Sequence, residues 1–449
     1  MQSKKSEVQV SRNRPFLSLK SNLTLPRDIE FDLEYDRERC LHGLNPTPLD
    51  SFNPADVQRV TQIFDNPQFF VDGAQSNDIV QGGLGDCWFL SALATMSTAS
   101  GLVEKFCVAV CHCTRLAFLP VLSFLQRDEE VGVYGFIFFR DANWVTVIID
   151  EYAFSILMDT TLNLPIHSLL YTAIPKFEEL NYTERALYHH DKDKYNLTAR
   201  KGGKSLYFAR SGTPGETWVP LIEKAFAKLH GDYQSLSGGY SAEAIEDLTG
   251  YALSCLSMHI FEHSALQRRI QRRSKQGYWF FFLPPHHAVD LCVIQDILDP
   301  ERFWKEELLN ANKDRLFGCA FDSLNPTRSG EDNIKINGLY GGHAYSILRA
   351  IEYNDKKFVI IRNPWGGSEW TGAWSDGSKE WNAEWMIALP MLGHVFGEDG
   401  QFVMECKSPV SCCGLEFTFV GKIETSSLIS NKSIGQGSLI LVGLCPHSG

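Results

Sequence analysis

Apolar positions first form a pattern at Asp56–Phe64, where Val57, Val60, Ile63 and Phe64 recur at helical spacing and predict a short helix. Positions 71–86 are rich in Gly, Asp and Asn and predict a loop. From Cys87 to Met96 the chain is densely apolar without Gly or Pro, which predicts a buried helix with Cys87 in its first turn. Tyr134–Phe139 and Trp144–Ile149 are apolar, β-branched and aromatic runs separated by Arg-Asp-Ala-Asn, a hairpin pattern. Thr217–Leu229 predicts an amphipathic helix, Ala242–Leu248 a shorter one, and Phe303–Asn312 another, with Glu306 and Glu307 near Lys313. Ala344–Ile351 and Lys357–Arg362 predict strands, followed by a Trp/Gly-rich loop to Trp381. After about 407 the chain is rich in Ser, Gly and Cys and ends without a clear element. No internal repeat is found. A helical first half and a strand-rich second half predict an α+β protein with two lobes.

Composition narrows the class. At about 150 residues per domain, the length suggests two to four domains. With 44% apolar and 21% charged residues, a mostly disordered chain, a collagen and a coiled coil are excluded. The net charge of −12 leaves no nucleic-acid footprint; it suits a soluble enzyme or a cation binder without proving either. The first residues are basic but lack an apolar h-region, so no secretory signal is expected. The most apolar stretches, Leu116–Leu125 and Tyr278–Pro284, are too short to span a bilayer. The 12 cysteines follow no regular framework and read as free thiols of a reducing compartment, so the expected location is cytoplasmic. Cys111 and Cys113 flank His112, but no second pair at zinc spacing follows.

The chemistry concentrates in three places. In Gln81-Gly-Gly-Leu-Gly-Asp-Cys87, glycines let the backbone turn tightly before a helix that starts at a cysteine. A helix N-terminus presents free N–H groups and positive potential, which should lower the thiol pKa and can hold an oxyanion. Gln81 would add a side-chain amide donor to that hole. A thiolate nucleophile needs a base and a group to orient it. Gly341-Gly342-His343 offers the base ahead of an apolar strand. Asn363, in Arg362-Asn363-Pro364-Trp365-Gly366 at a strand end, would accept the other imidazole N–H, shielded by Trp365. Each signal alone has a plain alternative: a buried Cys at a helix start, a structural His, a turn. Their Cys…His…Asn order makes the combination strong.

The blocks QGGLGDCWFLSAL, GLYGGHAYSIL and IRNPWGGSEWTGAWSD together resemble the calpain family of calcium-dependent cysteine proteases, over roughly residues 50–407. The resemblance implies a two-lobed papain-like core, with a helical first lobe carrying the Cys and a strand-rich second lobe carrying the His and Asn. It makes Cys87 the nucleophile, His343 the base and acid, Asn363 the orienting residue and Gln81 the oxyanion donor. It also implies two calcium ions. The first set is the Val71 and Gly73 carbonyls with the Asp78 and Glu216 carboxylates. The second is Glu369, Asp376, the Gly397 carbonyl and Asp399. Hard oxygen ligands from loops suit calcium. The family usually has Glu two residues after Asp399, where this chain has Gln401, which should weaken the second set. Calpains commonly continue into a β-sandwich and sometimes EF-hands; no EF-hand loop is found, and the chain after Cys406 resembles nothing in the family.

The expected division is a flexible segment (1–45), a Cys-bearing lobe (46–250), an atypical insertion (251–293), a lobe with His343 and Asn363 (294–407) and an atypical tail (408–449). The expected function is intracellular, calcium-gated endoproteolysis through a Cys87 thioester, with protein substrates and no nucleic-acid partner. The alternative is a catalytically inactive calpain-like scaffold. A transglutaminase-type enzyme would carry Asp as its third member, so Asn363 argues against it. Segments 110–126, 152–170 and 251–293 and the tail interrupt the resemblance and read as translated introns. Deleting the first two rejoins smooth strand sequences, and codons for Val110-Cys111 and, in a shifted frame, Glu151-Tyr152-Ala153 and Gly250-Tyr251-Ala252 can carry GTATGC, which suits a 5′ splice site. Surface insertions, which loops tolerate, are the alternative.

Overall fold

A computed structural model describes residues 28, 30–43, 52–99, 101–107, 127–128, 133–141, 143–149, 168–173, 180–191, 194–195, 198, 201–250, 253–256, 300–311, 313, 315–321, 335–406 and 415–420. The fold mixes helix and strand. Its main core surrounds α1 (Cys87–Ser97), in which every residue from Trp88 to Met96 is buried. A helix that is apolar on all sides can only be stable inside. Phe89 stacks at 4.0 Å on Phe226 of α2 (Trp218–His230). α2 stops at left-handed Gly231, the usual helix terminator. The buried hydroxyls of α1 are satisfied across element boundaries. Ser91 Oγ lies 2.9 Å from Ser241 Oγ at the start of α3 (Ser241–Thr249), and Thr95 donates to the Phe317 carbonyl at 3.1 Å.

Among the described residues, the main sheet of the second half is antiparallel and six-stranded, beside a two-stranded piece at Lys335–Ile336 and Leu339–Tyr340. Its strands are β1 (Leu253–Leu256), β2 (Leu316–Phe321), β3 (His343–Tyr353), β4 (Lys356–Arg362), β5 (Gln401–Glu405) and β6 (Leu415–Val420). Their order is β5-β4-β3-β2-β6-β1. Alternate residues face opposite sides. Tyr345, Ile347, Val359, Ile361, Phe402 and Met404 pack on Phe303, Trp304 and Leu308, while Phe358, Ile360 and Val403 face Trp374 and Leu392. β3 and β4 are joined by Asn354 and Asp355, both left-handed at φ 47° and 57°, a turn that Asn and Asp tolerate and that suits strand twist. The register pairs Ser346 with Arg362, so the start of β3 lies beside the end of β4. That geometry, not sequence proximity, brings His343 next to Asn363. Ser346 also donates to the Ser91 carbonyl at 2.7 Å, pinning β3 onto α1.

Several expectations hold: the helix at Cys87, the hairpin (Val133–Arg140 with Asn143–Ile149), α2, α3, β3 and β4. Others need correction. Asp56–Arg59 is a strand paired with Leu169–Thr172, and only Val60–Ile63 is helical, because sheet pairing overrides a short helical spacing. The loop at 71–86 contains a 3₁₀ turn (Ser76–Asp78) and a short strand (Ile79–Val80) paired with Arg210–Ser211. Phe303–Glu307 is a π-turn followed by a 3₁₀ turn at Leu308–Asn310. A helix at Tyr182–His190, closed by an Asn181/Glu184 capping box, was not expected.

Of the segments read as introns, 110–126, 152–167 and 257–293 lie outside the described residues, as do most of the flexible segment 1–45 and much of the tail. Ser168, Leu169 and Leu170 are buried, and the two leucines pair with Arg59 and Gln58, so the border drawn at 170 cuts into the core. β1 comes from the insertion and β6 from the tail; they pair with each other, and β6 pairs with β2, so the tail does contain a regular element. Among the described residues Cys40, Cys87 and Cys319 are free thiols, whereas Cys406 is disulfide-bonded, against the reading of all cysteines as free. No helix among the described residues is long and apolar enough to cross a membrane.

Candidate active site

The loop before Cys87 is shaped by close backbone contact. A Cβ at Gly82 would stand 2.1 Å from the Phe208 carbonyl oxygen, so only glycine fits. Gly83 N–H donates to the Tyr207 carbonyl at 2.8 Å and Gln81 N–H to the Pro364 carbonyl at 2.9 Å. The second bond ties the Cys loop to the Asn363-Pro364-Trp365 turn. Helix α1 then starts with Cys87 as its first residue. The Ala344 main-chain amide pulls the Cys87 thiol down, so the thiol lies near the residue that follows His343.

His343 is buried, and its Nε2 lies 2.8 Å from Asn363 Oδ1. The orientation of the Asn363 amide is fixed independently. Its Nδ2 donates to the carbonyls of Gly367 and Ser368, each at 2.9 Å, and Oδ1 accepts the Trp365 N–H at 3.1 Å. Only an NH₂ group can face two carbonyls, so Oδ1 faces His343 and Nε2 must carry the proton. A neutral imidazole then has Nδ1 as its lone-pair nitrogen. The Trp365 ring, centroid 4.4 Å away, and the Tyr345 ring, 4.8 Å away and edge-on, bracket the imidazole.

Electrostatics depart from the expectation of a lowered thiol pKa. Burial pushes the Cys87 thiol up and the Asp86 charge adds to this, outweighing the N–H groups that pull it down. Burial also lowers His343 to about 4, against the raising effect of the Asn363 bond. Both groups are therefore neutral near pH 7. Asp86 and Glu223 of α2 form a buried carboxyl pair beneath Cys87, and both are pushed up by loss of water. Neither Asp86 oxygen has a hydrogen-bond partner, and two carboxyls kept from water beside one another favour a state in which one of them is protonated. The sequence offered Asp86 and Glu223 only as a helix-start acid and a helix acid; nothing in their spacing marked a pair.

Gln81 Nε2 donates to the Leu84 carbonyl at 2.6 Å, while its Oε1 is buried without a donor. An amide has two N–H groups, so one remains for another acceptor. Arg362, quoted in the sequence motif without a role, is buried and reaches three carbonyls: Ile79 at 3.1 Å, Asn77 at 3.3 Å, and Asp399. It thereby links the loop containing Asp78 to the loop containing Asp399. Its strand-end position beside Asn363 was the available signal.

Among the described residues, no group of three or more His, Cys, Asp and Glu side chains is arranged to hold a metal ion. The two calcium sets differ in fit. In the first, Asp78 and Glu216 are buried neighbours, and the Asp78 charge adds to burial in raising the Glu216 carboxyl. Their donors are hydroxyls and main-chain N–H groups: Thr213 and Gln75 on Asp78, Ser211 and Val71 on Glu216. Val71 and Gly73 lie on the same loop, and Gly73 is left-handed at φ 85°. Two adjacent buried carboxylates with rotatable hydroxyl donors fit a calcium ion. In the second set, Glu369, Asp376 and Asp399 also converge, and the charges of the other two raise Glu369 after burial does. Here His394 Nε2 lies 2.7 Å from Asp376 Oδ1, and Gly397 N–H donates to Oδ2 at 2.8 Å. An imidazole N–H occupies the oxygen that a cation would need, so this set does not fit.

A cysteine that opens a buried helix, against a strand whose histidine is held by an asparagine, is the arrangement of a papain-like thiol hydrolase. A family description, calpain family cysteine protease, matches residues 46–164 and 196–412. The chain belongs to the calpain family of cysteine proteases. It is 30% identical over 360 residues to a calpain of Schistosoma mansoni, covering 79% of this chain and 35% of that one. It is 28% identical over 400 residues to calpain clp-4 of Caenorhabditis elegans, covering 84% and 42%. Over 351 residues it is 29% identical to the calpain-1 catalytic subunit of Bos taurus, covering 77% and 35%. The chain thus spans 35 to 42% of the length of these relatives.

Proposed function

We propose that this chain is a calpain-like endopeptidase that hydrolyses peptide bonds of protein substrates through a Cys87 thioester, in a two-lobed core whose lobes meet at Cys87 and His343. The reading is carried by the 2.8 Å bond between His343 Nε2 and Asn363 Oδ1, with Cys87 near Ala344. In this reading His343 Nδ1 takes the thiol proton as sulfur attacks the scissile carbonyl carbon. The oxyanion that forms is met by the Cys87 N–H and the remaining Gln81 N–H. The protonated imidazole returns its proton to the departing amine, leaving the thioester. Water then attacks with His343 as base, releasing the acid and the thiol. In the uncharged resting pair the thiol is half-buried, and the buried His343 is kept from solvent until a substrate carbonyl is present.

Calcium gating is part of the proposal, with the Val71 and Gly73 carbonyls and the Asp78 and Glu216 carboxylates as its holders. Bound there, calcium would supply positive charge between Asp78, in the loop that leads to Gln81, and Glu216, just before α2; no chemical step runs through it. Casein cleavage by the purified chain, with calcium and with chelator, tests the reading, with Cys87→Ala as control. Calcium-dependent cleavage lost in Cys87→Ala is expected. A folded chain that cleaves nothing in either condition would leave the inactive-scaffold alternative standing.

A further inference from the structure

In the second calcium set of the family resemblance, Asp376 is already occupied by this chain's own donors. Both oxygens of Asp376 already accept: Oδ1 from His394 Nε2 at 2.7 Å and Oδ2 from the Gly397 N–H at 2.8 Å. Glu369 Oε1 accepts the Gly400 N–H and Asp399 Oδ1 the Gln401 N–H, each at 2.8 Å.

His394 is not a surface side chain that has fallen onto the site. Its side chain is 0% exposed. It stacks on Trp381 with centroids 6.3 Å apart and meets Phe396 at 5.7 Å. Trp381 is itself held by Nε1 donation to the carbonyls of Trp374 and Ser375. The imidazole cannot swing aside without opening this aromatic cage.

Gln401 matches it. Gln401 Nε2 donates to the Gly393 carbonyl at 3.1 Å and lies 3.4 Å from His394 Nδ1. Glutamate at 401 would turn a carboxylate toward that carbonyl, with no proton for it. Residues 394 and 401 therefore form a unit in which each makes the other suitable. The hydroxyl donors of the first set can rotate and expose their own oxygens to an ion. A caged imidazole N–H cannot, and nitrogen is a poor ligand for calcium.

We propose that this protein closes the second cation site with its own chain: His394, backed by Gln401, takes the place on Asp376 that a calcium ion would occupy, so that calcium is taken only at Asp78 and Glu216. The inference rests on the calcium reading above for the ion at the first set, but not for the closure of the second. It also corrects the sequence argument, because the absent acid at 401 is only half of the change.

Calcium bound per chain, measured by equilibrium dialysis of full-length Cys87→Ala, tests the proposal in two arms. In the first, Asp376→Asn is expected to leave the bound calcium unchanged, whereas Asp78→Asn removes it. In the second, His394→Ala combined with Gln401→Glu is expected to bind one ion more than its parent, and Gln401→Glu alone none. An ion on the parent chain that disappears with Asp376→Asn overturns the proposal, as does a double variant with native circular dichroism that gains no ion. If the parent binds nothing and the double variant binds one ion, the closure stands and the first-set calcium reading falls. Should the double variant not fold, the Asp376→Asn arm decides alone.

Discussion

Asn363 and Asp86 are both fully buried, one beside His343 and the other one residue before Cys87. Every polar atom of the Asn363 side chain is bonded, to His343, Trp365, Gly367 and Ser368. Neither oxygen of Asp86 has a hydrogen-bond partner, and its buried neighbour Glu223 is another acid. The histidine side of the site is thus a satisfied network, which fixes one tautomer and one ring position. The cysteine side carries an electrostatic penalty that raises the thiol and the two acids together. A satisfied buried network rigidifies, while an under-satisfied one costs stability and responds to pH. The pairing divides positioning from tuning between the two sides of one cleft.

Removing a reacting group should have the largest effect. Cys87→Ala is expected to reduce cleavage by ~10⁴-fold or more, to the limit of detection, with an unchanged thermal melt. Retained cleavage would move the nucleophile elsewhere. Asn363→Ala strikes the satisfied side: the tautomer is no longer fixed, and kcat should fall ~10²–10⁴-fold with little change in KM. A near-native kcat in that variant would break the claim that this network positions the base. Gln81→Ala, on the other side, should lower kcat by about 10²-fold through loss of one oxyanion donor. A rise in KM at constant kcat would instead mark Gln81 as a loop anchor through its Leu84 bond.

These residues were legible in the sequence to different degrees. Cys87, His343 and Asn363 stand in uninterrupted local motifs, and apolar runs marked β3 and β4, whose register brings the last two together. Glycine-rich spacing marked the loop at Gln81. What could not be read was anything set by side-chain orientation between distant segments. Glu223 looked like one polar position on an amphipathic helix, yet it points inward at Asp86. His394 carried no motif, and its role depends on Asp376 and Gln401 reaching it from two other places in the chain. Asp56–Arg59 failed for a related reason, since its partner strand begins at Leu169, more than a hundred residues away and inside a segment read as foreign.

A smaller effect distinguishes a tuned thiol from a preformed thiolate. Cys40, Cys107 and Cys319 are buried, and Cys40 is pushed up to about 12, mainly by burial. Cys87 should therefore be the first of these four to react with limiting iodoacetamide. Because its own thiol is raised, the rate should climb about tenfold per pH unit from neutrality into the alkaline range. A rate flat across that range would show a thiolate already formed and would remove the tuning role assigned to the cysteine side.

The smallest expected effect is on stability. Glu223→Gln keeps the shape of the side chain, accepts the Ala209 N–H that Glu223 now accepts, and gives Asp86 a neutral N–H donor. Glu223 and Asp86 are both raised in the folded state, chiefly by burial. Above the ordinary carboxylate range the native fold therefore binds more protons than the unfolded chain. Stability from this pair is present below the unfolded values and is lost as pH rises through the folded ones. With Gln at 223 one titrating group is gone and Asp86 can ionise against an amide. Urea unfolding should then find the variant within about 0.5 kcal/mol of the parent at pH 5 but more stable by roughly 1–2 kcal/mol at pH 8. The sign separates this from loss of an ordinary buried hydrogen bond, which would destabilise at both pH values. Parallel pH curves for variant and parent would mean that the two carboxyls do not share a proton, and the contrast between the two sides of the site would rest on geometry alone.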